Sequence, residues 1–154
     1  MKVTDYIKEE HKQVEELFEQ FEESPNMSIV QEIGAILYRH HHAEEETVFP
    51  GVAKKSEPKE EVVNYLMAEH DVIHLQLEDI FRNEEEDLFE AKVHVLQELV
   101  EHHVKEEEDA FFKHAEEAYT ETQLENATKK FKAASEEYDS SAPEAPAEKK
   151  KSKQ

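Results

Sequence analysis

Apolar residues return at steps of three and four through most of this chain, with few residues that break a helix. Ile7, His11, Val14, Phe18 and Phe21 share one face of a helix predicted from about Asp5 to Glu23, where Pro25 ends it. Only two glycines and five prolines occur among 154 residues, and strand patterns are nearly absent, so helix is the default state of the chain.

Four more helical segments follow. Ser28 and Gln31 have the spacing of a capping box, which predicts a second helix to Phe49, stopped by Pro50 and Gly51, with Ile29, Ile33, Ile36 and Leu37 as its stripe. A third starts after Ser56-Glu57-Pro58 and carries Val62, Val63, Leu66, Met67, Ile73, Leu77, Ile80 and Phe81, the polar run Arg82 to Asp87 being its turn or frayed end. A fourth spans Leu88 to His114 on Val93, Leu96, Leu99, Val100, Ala110 and Phe111. Long amphipathic helices with short links predict an all-α fold, an up-and-down four-helix bundle over residues 1–115. An accessory helix over 116–139, with Leu124, Ala127, Phe131 and Tyr138 on a weaker stripe, would dock against it, and residues 140–154 read as a disordered Pro/Lys-rich tail.

Charge and composition narrow the function. A formal net charge of -21 disfavours nucleic acid and anionic membrane surfaces as partners, since both require a cationic face. The absence of cysteine removes disulfides, thiolate metal sites and cysteine nucleophiles together. No apolar run reaches the length of a membrane span, and the N-terminus is too acidic for a signal or transit peptide, so a cytoplasmic protein is expected.

Ten histidines remain to be explained. On the second helix the inward series Ile33, Leu37 continues to His40, Glu44 and Val48; on the fourth, Leu96, Leu99 and Val100 lead to His103 and Glu107. His70 and His74 stand one turn apart in line with Val63, Met67, Leu77 and Phe81, and His11 lies between Ile7 and Val14. Five histidines and two glutamates thus project from four helices into an otherwise apolar core. Burying them without partners would cost several kcal/mol apiece, a cost that metal coordination offsets. His41, His42, His94, His102 and His114, with Glu45, Glu46, Glu106, Glu108 and Asp109, are expected in solvent or in the layer outside the ligands, and a shift of one residue would exchange His40/Glu44 for His41/Glu45.

Seven donors suit two metals joined by two carboxylates. Nitrogen and oxygen donors without sulfur fit iron or manganese, with zinc as a competitor. The ferritin-like Glu-x-x-His arrangement is lacking, because Lys8, Leu37, Met67 and Val100 stand three residues before His11, His40, His70 and His103. HDVIH at 70–74 has the histidine spacing of a zinc protease helix without its general-base glutamate.

Over residues 5–114 the sequence resembles the hemerythrin family in its bacterial and archaeal form, the HHE cation-binding domain. The resemblance rests on His11, the His40-x-x-x-Glu44 pair in HHHAEEETVFP, HDVIH, and His103 with Glu107. It implies two oxo- or hydroxo-bridged iron ions, one completed by His70, His74 and His103, the other by His11 and His40, with Glu44 and Glu107 bridging and an open position on the two-histidine iron. Oxygen-carrying members place an Asp five residues after the last histidine, whereas this chain has Glu107 at four and Glu108 at five.

The resemblance implies reversible dioxygen binding for transport, storage or sensing. The alternatives are disposal of peroxide or nitric oxide, repair of damaged iron centres, and, from another class, a metal-free acidic helical interaction module. The expected small-molecule partner is dioxygen or another diatomic or peroxide ligand, around which Phe18, Phe49, Phe81 and Phe111 would form either an apolar pocket or ordinary core.

Overall fold

The computed structural model describes residues 1–82 and 87–141. They form five helical rods and no strand. The first rod is α1 (Val3–Glu23); the second runs as α2 (Met27–Ala43), a π-helical turn at Glu44–Val48 and α3 (Phe49–Ala53); the third is α4 (Glu57–Arg82). The fourth runs as α5 (Phe89–Glu106), a second π turn at Glu107–Phe111 and α6 (Phe112–Ala118), and the last is α7 (Glu121–Ser141). The expected disordered tail, apart from its first two residues, and most of the expected Arg82 to Asp87 turn lie outside the described residues.

Two expectations about the second rod are corrected. Its cap is Asn26 rather than Ser28: the Asn26 side chain accepts from the Ile29 N–H at 3.2 Å, a bond of the kind that contributes roughly 1 kcal/mol. Nor does the rod stop at Pro50. The π turn resets the backbone register, with the Phe49 N–H reaching back to the Glu44 carbonyl, and Pro50 falls in the first turn of α3, where a missing N–H is tolerated. Gly51 meets a different constraint, since a Cβ there would overlap the Tyr119 hydroxyl.

The apolar core is split in two. Val14, Phe18, Leu37, Ile73, Leu77, Leu96 and Val100 belong to one cluster, and Ile7, Val48, Phe49, Leu66, Phe111 and Phe131 to the other. Each of the four bundle rods passes from one cluster to the other through a short polar interval, at Glu10 and His11, at His40 to Glu44, at His70, and at His103 to Glu107. A slab of ionisable side chains therefore crosses the middle of the bundle.

The fifth rod docks as its stripe predicts. α7 lies along α1 and α2, burying Leu124 and Phe131. Phe131 sets its ring edge-on to Tyr6 at 5.5 Å and to His40 at 5.6 Å, so this helix closes one side of the polar slab. No described helix is long and apolar enough to cross a membrane.

Candidate metal centre

Two groups of donors converge inside the slab. His11, His40, Glu44 and Glu107 form one, and His41, His70 and His103 the other. Glu44 links them: its Oε2 lies 3.2 Å from His40 Nε2 and its Oε1 3.2 Å from His70 Nε2. Glu107 Oε1 is 3.0 Å from His11 Nε2. Both glutamates are wholly excluded from solvent.

The Nε2 atoms of His11, His40, His70 and His103, and both oxygens of Glu44 and Glu107, are buried without a hydrogen-bond partner. Orphaned polar atoms of this kind cost roughly 1–3 kcal/mol each in an ordinary core, yet here they crowd around common points. The imidazoles are held from behind. His40 Nδ1 is 2.6 Å from Glu10, His103 Nδ1 2.9 Å from Glu69, His70 Nδ1 2.7 Å from Glu45 and His11 Nδ1 2.8 Å from Glu108. A carboxylate on Nδ1 fixes the tautomer that leaves Nε2 as a bare lone pair and raises its basicity, the arrangement typical of histidines that ligate metals. These donors fit divalent cations of the nitrogen- and oxygen-loving kind.

The electrostatics agree. Burial and the neighbouring Glu107 push the Glu44 carboxyl well above its usual range, while Glu107, despite burial that works the other way, is held low by its neighbours Glu44 and His11. Glu44 is thus the carboxyl of the pair that tends to keep its proton, which a cation would displace. Burial tends to lower His11 and His70, but Glu107 and Glu108 on the first and Glu44 and Glu45 on the second raise both above the ordinary imidazole value. His41 is driven far down by burial and then by the imidazoles around it, and His74 is lowered to about 4, by burial and then by His70.

A model of the hemerythrin HHE cation-binding domain matches residues 2–115. The chain belongs to the hemerythrin HHE family. Comparison with curated proteins and with solved structures gave no significant match.

As an HHE cation-binding domain, the chain has six of its seven sequence-predicted donors, His11, His40, Glu44, His70, His103 and Glu107, in the converging groups. His74 stands outside both, its Nε2 2.8 Å from His41 Nδ1. His41, expected in solvent or the outer layer, is instead 1% exposed and its ring stacks on His70 at 3.6 Å. The reason lies in α4. Its buried series is Val63, Leu66, His70, Ile73, Leu77, Ile80 and Phe81, whereas Met67 is 38% exposed and His74 only half-buried, so beside His70 the line through Met67 and His74 is turned away from the interior, returning to it at Phe81. His41 of α2 packs its ring against both His70 and His74.

Glu107, four residues after the last histidine, takes the inner place, and Glu108 at five takes the outer one, on His11. Glu45 and Glu108 are outer-layer groups as expected, but Glu10 and Glu69 went unrecognised. A signal for them exists: each immediately precedes an inward histidine, as Glu45 and Glu108 each follow an inward glutamate. Among the aromatics, Phe49, Phe81 and Phe111 are core, while Phe18 also borders a cavity of about 300 Å³ lined in addition by His11, Val100 and Val104, with Glu15 and Glu101 at its exposed edge.

Proposed function

We propose that this chain is a non-heme di-iron protein that binds dioxygen reversibly. One observation carries the reading: two donor groups meet across Glu44, with Glu107 beside it, and four of their imidazoles are held through Nδ1 with Nε2 turned inward. His11 and His40 would hold one iron, His70 and His103 with a third imidazole the other, and Glu44 and Glu107 would bridge. When bound, the iron pair supplies the reducing electrons and the coordination position that dioxygen chemistry needs.

The chain's own groups do the rest. Glu10, Glu45, Glu69 and Glu108 orient the imidazoles and keep their Nδ1 protons in place. Val48, Phe49 and Phe111 on one side and Leu37, Ile73 and Val100 on the other keep bulk water from the slab. The cavity beside His11, with Phe18, Val100 and Val104 in its wall, gives a small apolar ligand a way to the side with fewer imidazoles.

A metal-free interaction module would leave the orphaned nitrogens and oxygens of the slab uncompensated, and is disfavoured for that reason. The test is metal content together with the visible spectrum of anaerobically reduced protein, before and after air and again after oxygen is withdrawn. Two irons per chain and a visible band that appears with air and fades on its removal are expected. Irreversible oxidation, or turnover of peroxide, would favour a redox enzyme, and protein that takes up no metal would defeat the reading.

A further inference from the structure

The slab is built twice. Glu10-His11 on α1 recurs as Glu69-His70 on α4, and His40 with Glu44-Glu45 recurs as His103 with Glu107-Glu108. The hydrogen bonds obey the same exchange: Glu10 on His40 becomes Glu69 on His103, and Glu45 on His70 becomes Glu108 on His11. Both second members end in a π turn that opens at the inner glutamate. One inward position breaks the correspondence. The counterpart of His41 is Val104, which borders the cavity beside His11.

Resting on the two-metal reading, we propose that His41 is the third imidazole ligand of the metal held by His70 and His103, and that His74 is not a ligand but a positioning residue that accepts the His41 Nδ1 proton. His41 is buried, stacked on His70 at an interplanar angle of 13°, and its ring centroid is 5.5 Å from that of His103. Its contact with His74 allows one proton between two nitrogens. If His74 Nε2 supplied that proton, neutral His41 would carry its own on Nε2 and have no lone pair to offer a metal. If His41 Nδ1 supplies it, His41 Nε2 is free to ligate and His74 Nε2 is occupied as an acceptor. Ligation through His41 Nε2 therefore requires the arrangement in which His41 Nδ1 donates to His74 Nε2.

Two consequences follow. The sequence HDVIH is divided between layers, His70 inside and His74 outside. The other four imidazoles donate to carboxylates, whereas His41 donates to a neutral ring, so His41 is the least basic donor of its metal.

The experiment uses the full chain loaded with Zn²⁺, which is diamagnetic, and long-range proton–nitrogen correlation spectra of its histidines. Metal-shifted Nε2 with protonated Nδ1 is expected for His11, His40, His41, His70 and His103, and an unprotonated, unmetallated Nε2 for His74. In chelator competition, His74→Leu should lower Zn²⁺ affinity by about 10–100-fold and His74→Gln, whose Oε1 can accept the same proton, should restore it to within about threefold of wild type, with His41→Leu losing more than either. A metallated His74 Nε2 with two zincs bound, or a loss in His74→Leu equal to that in His41→Leu, overturns the assignment alone. Fewer than two zincs in the wild-type chain would bring down the two-metal reading and this assignment with it.

Discussion

The Glu10 carboxylate lies 2.6 Å from Nδ1 of His40 and is itself 5% exposed, which places a carboxylate in the bundle interior with an imidazole N–H as its partner. An acid in that position does not serve packing. It aims His40 Nε2 at the centre, and removing it should loosen the metal without breaking the bundle. Glu10→Gln is expected to lower metal affinity by about 10–100-fold in chelator competition while leaving the helical circular dichroism unchanged. Unaltered affinity would remove Glu10 from the site.

Glu44 touches both donor groups, and its loss should be felt by both metals. Glu44→Ala is expected to abolish stoichiometric binding, measured as metal per chain after desalting, whereas His42→Ala should keep wild-type stoichiometry because His42 sits against Tyr138 and not in the centre. Equal losses in the two variants would contradict the geometry.

Metal uptake should release protons. Glu44, His11 and His70 have raised pKa values before metal arrives, so each holds its proton to higher pH than an isolated group and a cation must compete with it. The sign follows: apparent affinity rises with pH through those raised values and levels off above them. Calorimetric titration in buffers of different ionisation enthalpy measures the protons released, and uptake independent of buffer would count against protons held at Glu44, His11 and His70.

The same burial makes the centre costly to the metal-free fold. The double variant Glu44→Leu/Glu107→Leu is expected to be more stable than wild type by about 1–4 kcal/mol in urea with chelator present, and to bind no metal. A destabilised double variant would mean that the glutamates contribute to the fold independently of metal.

Phe131 ties the last helix to the site, fully buried and edge-on to His40. Phe131→Ala should cost roughly 3–5 kcal/mol of stability in urea unfolding, as large-to-small changes in cores do. A loss below 1 kcal/mol would show that α7 is only loosely docked.

The sequence by itself determined the helices and the layer in which the histidines stand. Three- and four-residue steps are a local property of each rod, so Ile33 and Leu37 lead to His40 and Glu44, and Val100 to His103 and Glu107, without knowledge of any neighbour. Where two adjacent residues both stood near the inward face, periodicity had no means to choose. On α4 it admitted a line through Met67 and His74 as readily as one through Leu66 and Ile73, and on α2 it turned His41 outward. Only packing decided those cases, because rotation of a helix about its axis is fixed by the partners it meets: Ile73 went into the apolar cluster with Leu77 and Leu96, and His41 filled the space beside His70. The carboxylates behind the imidazoles were decided the same way. Glu10 to His40 and Glu69 to His103 are contacts between rods separated by 30 and 34 residues, and no helical period within one rod encodes them. The π turns at Glu44 and Glu107 belong with them, since a single added residue in a helical turn changes which side chains face inward without altering the hydrophobic pattern that announces the helix.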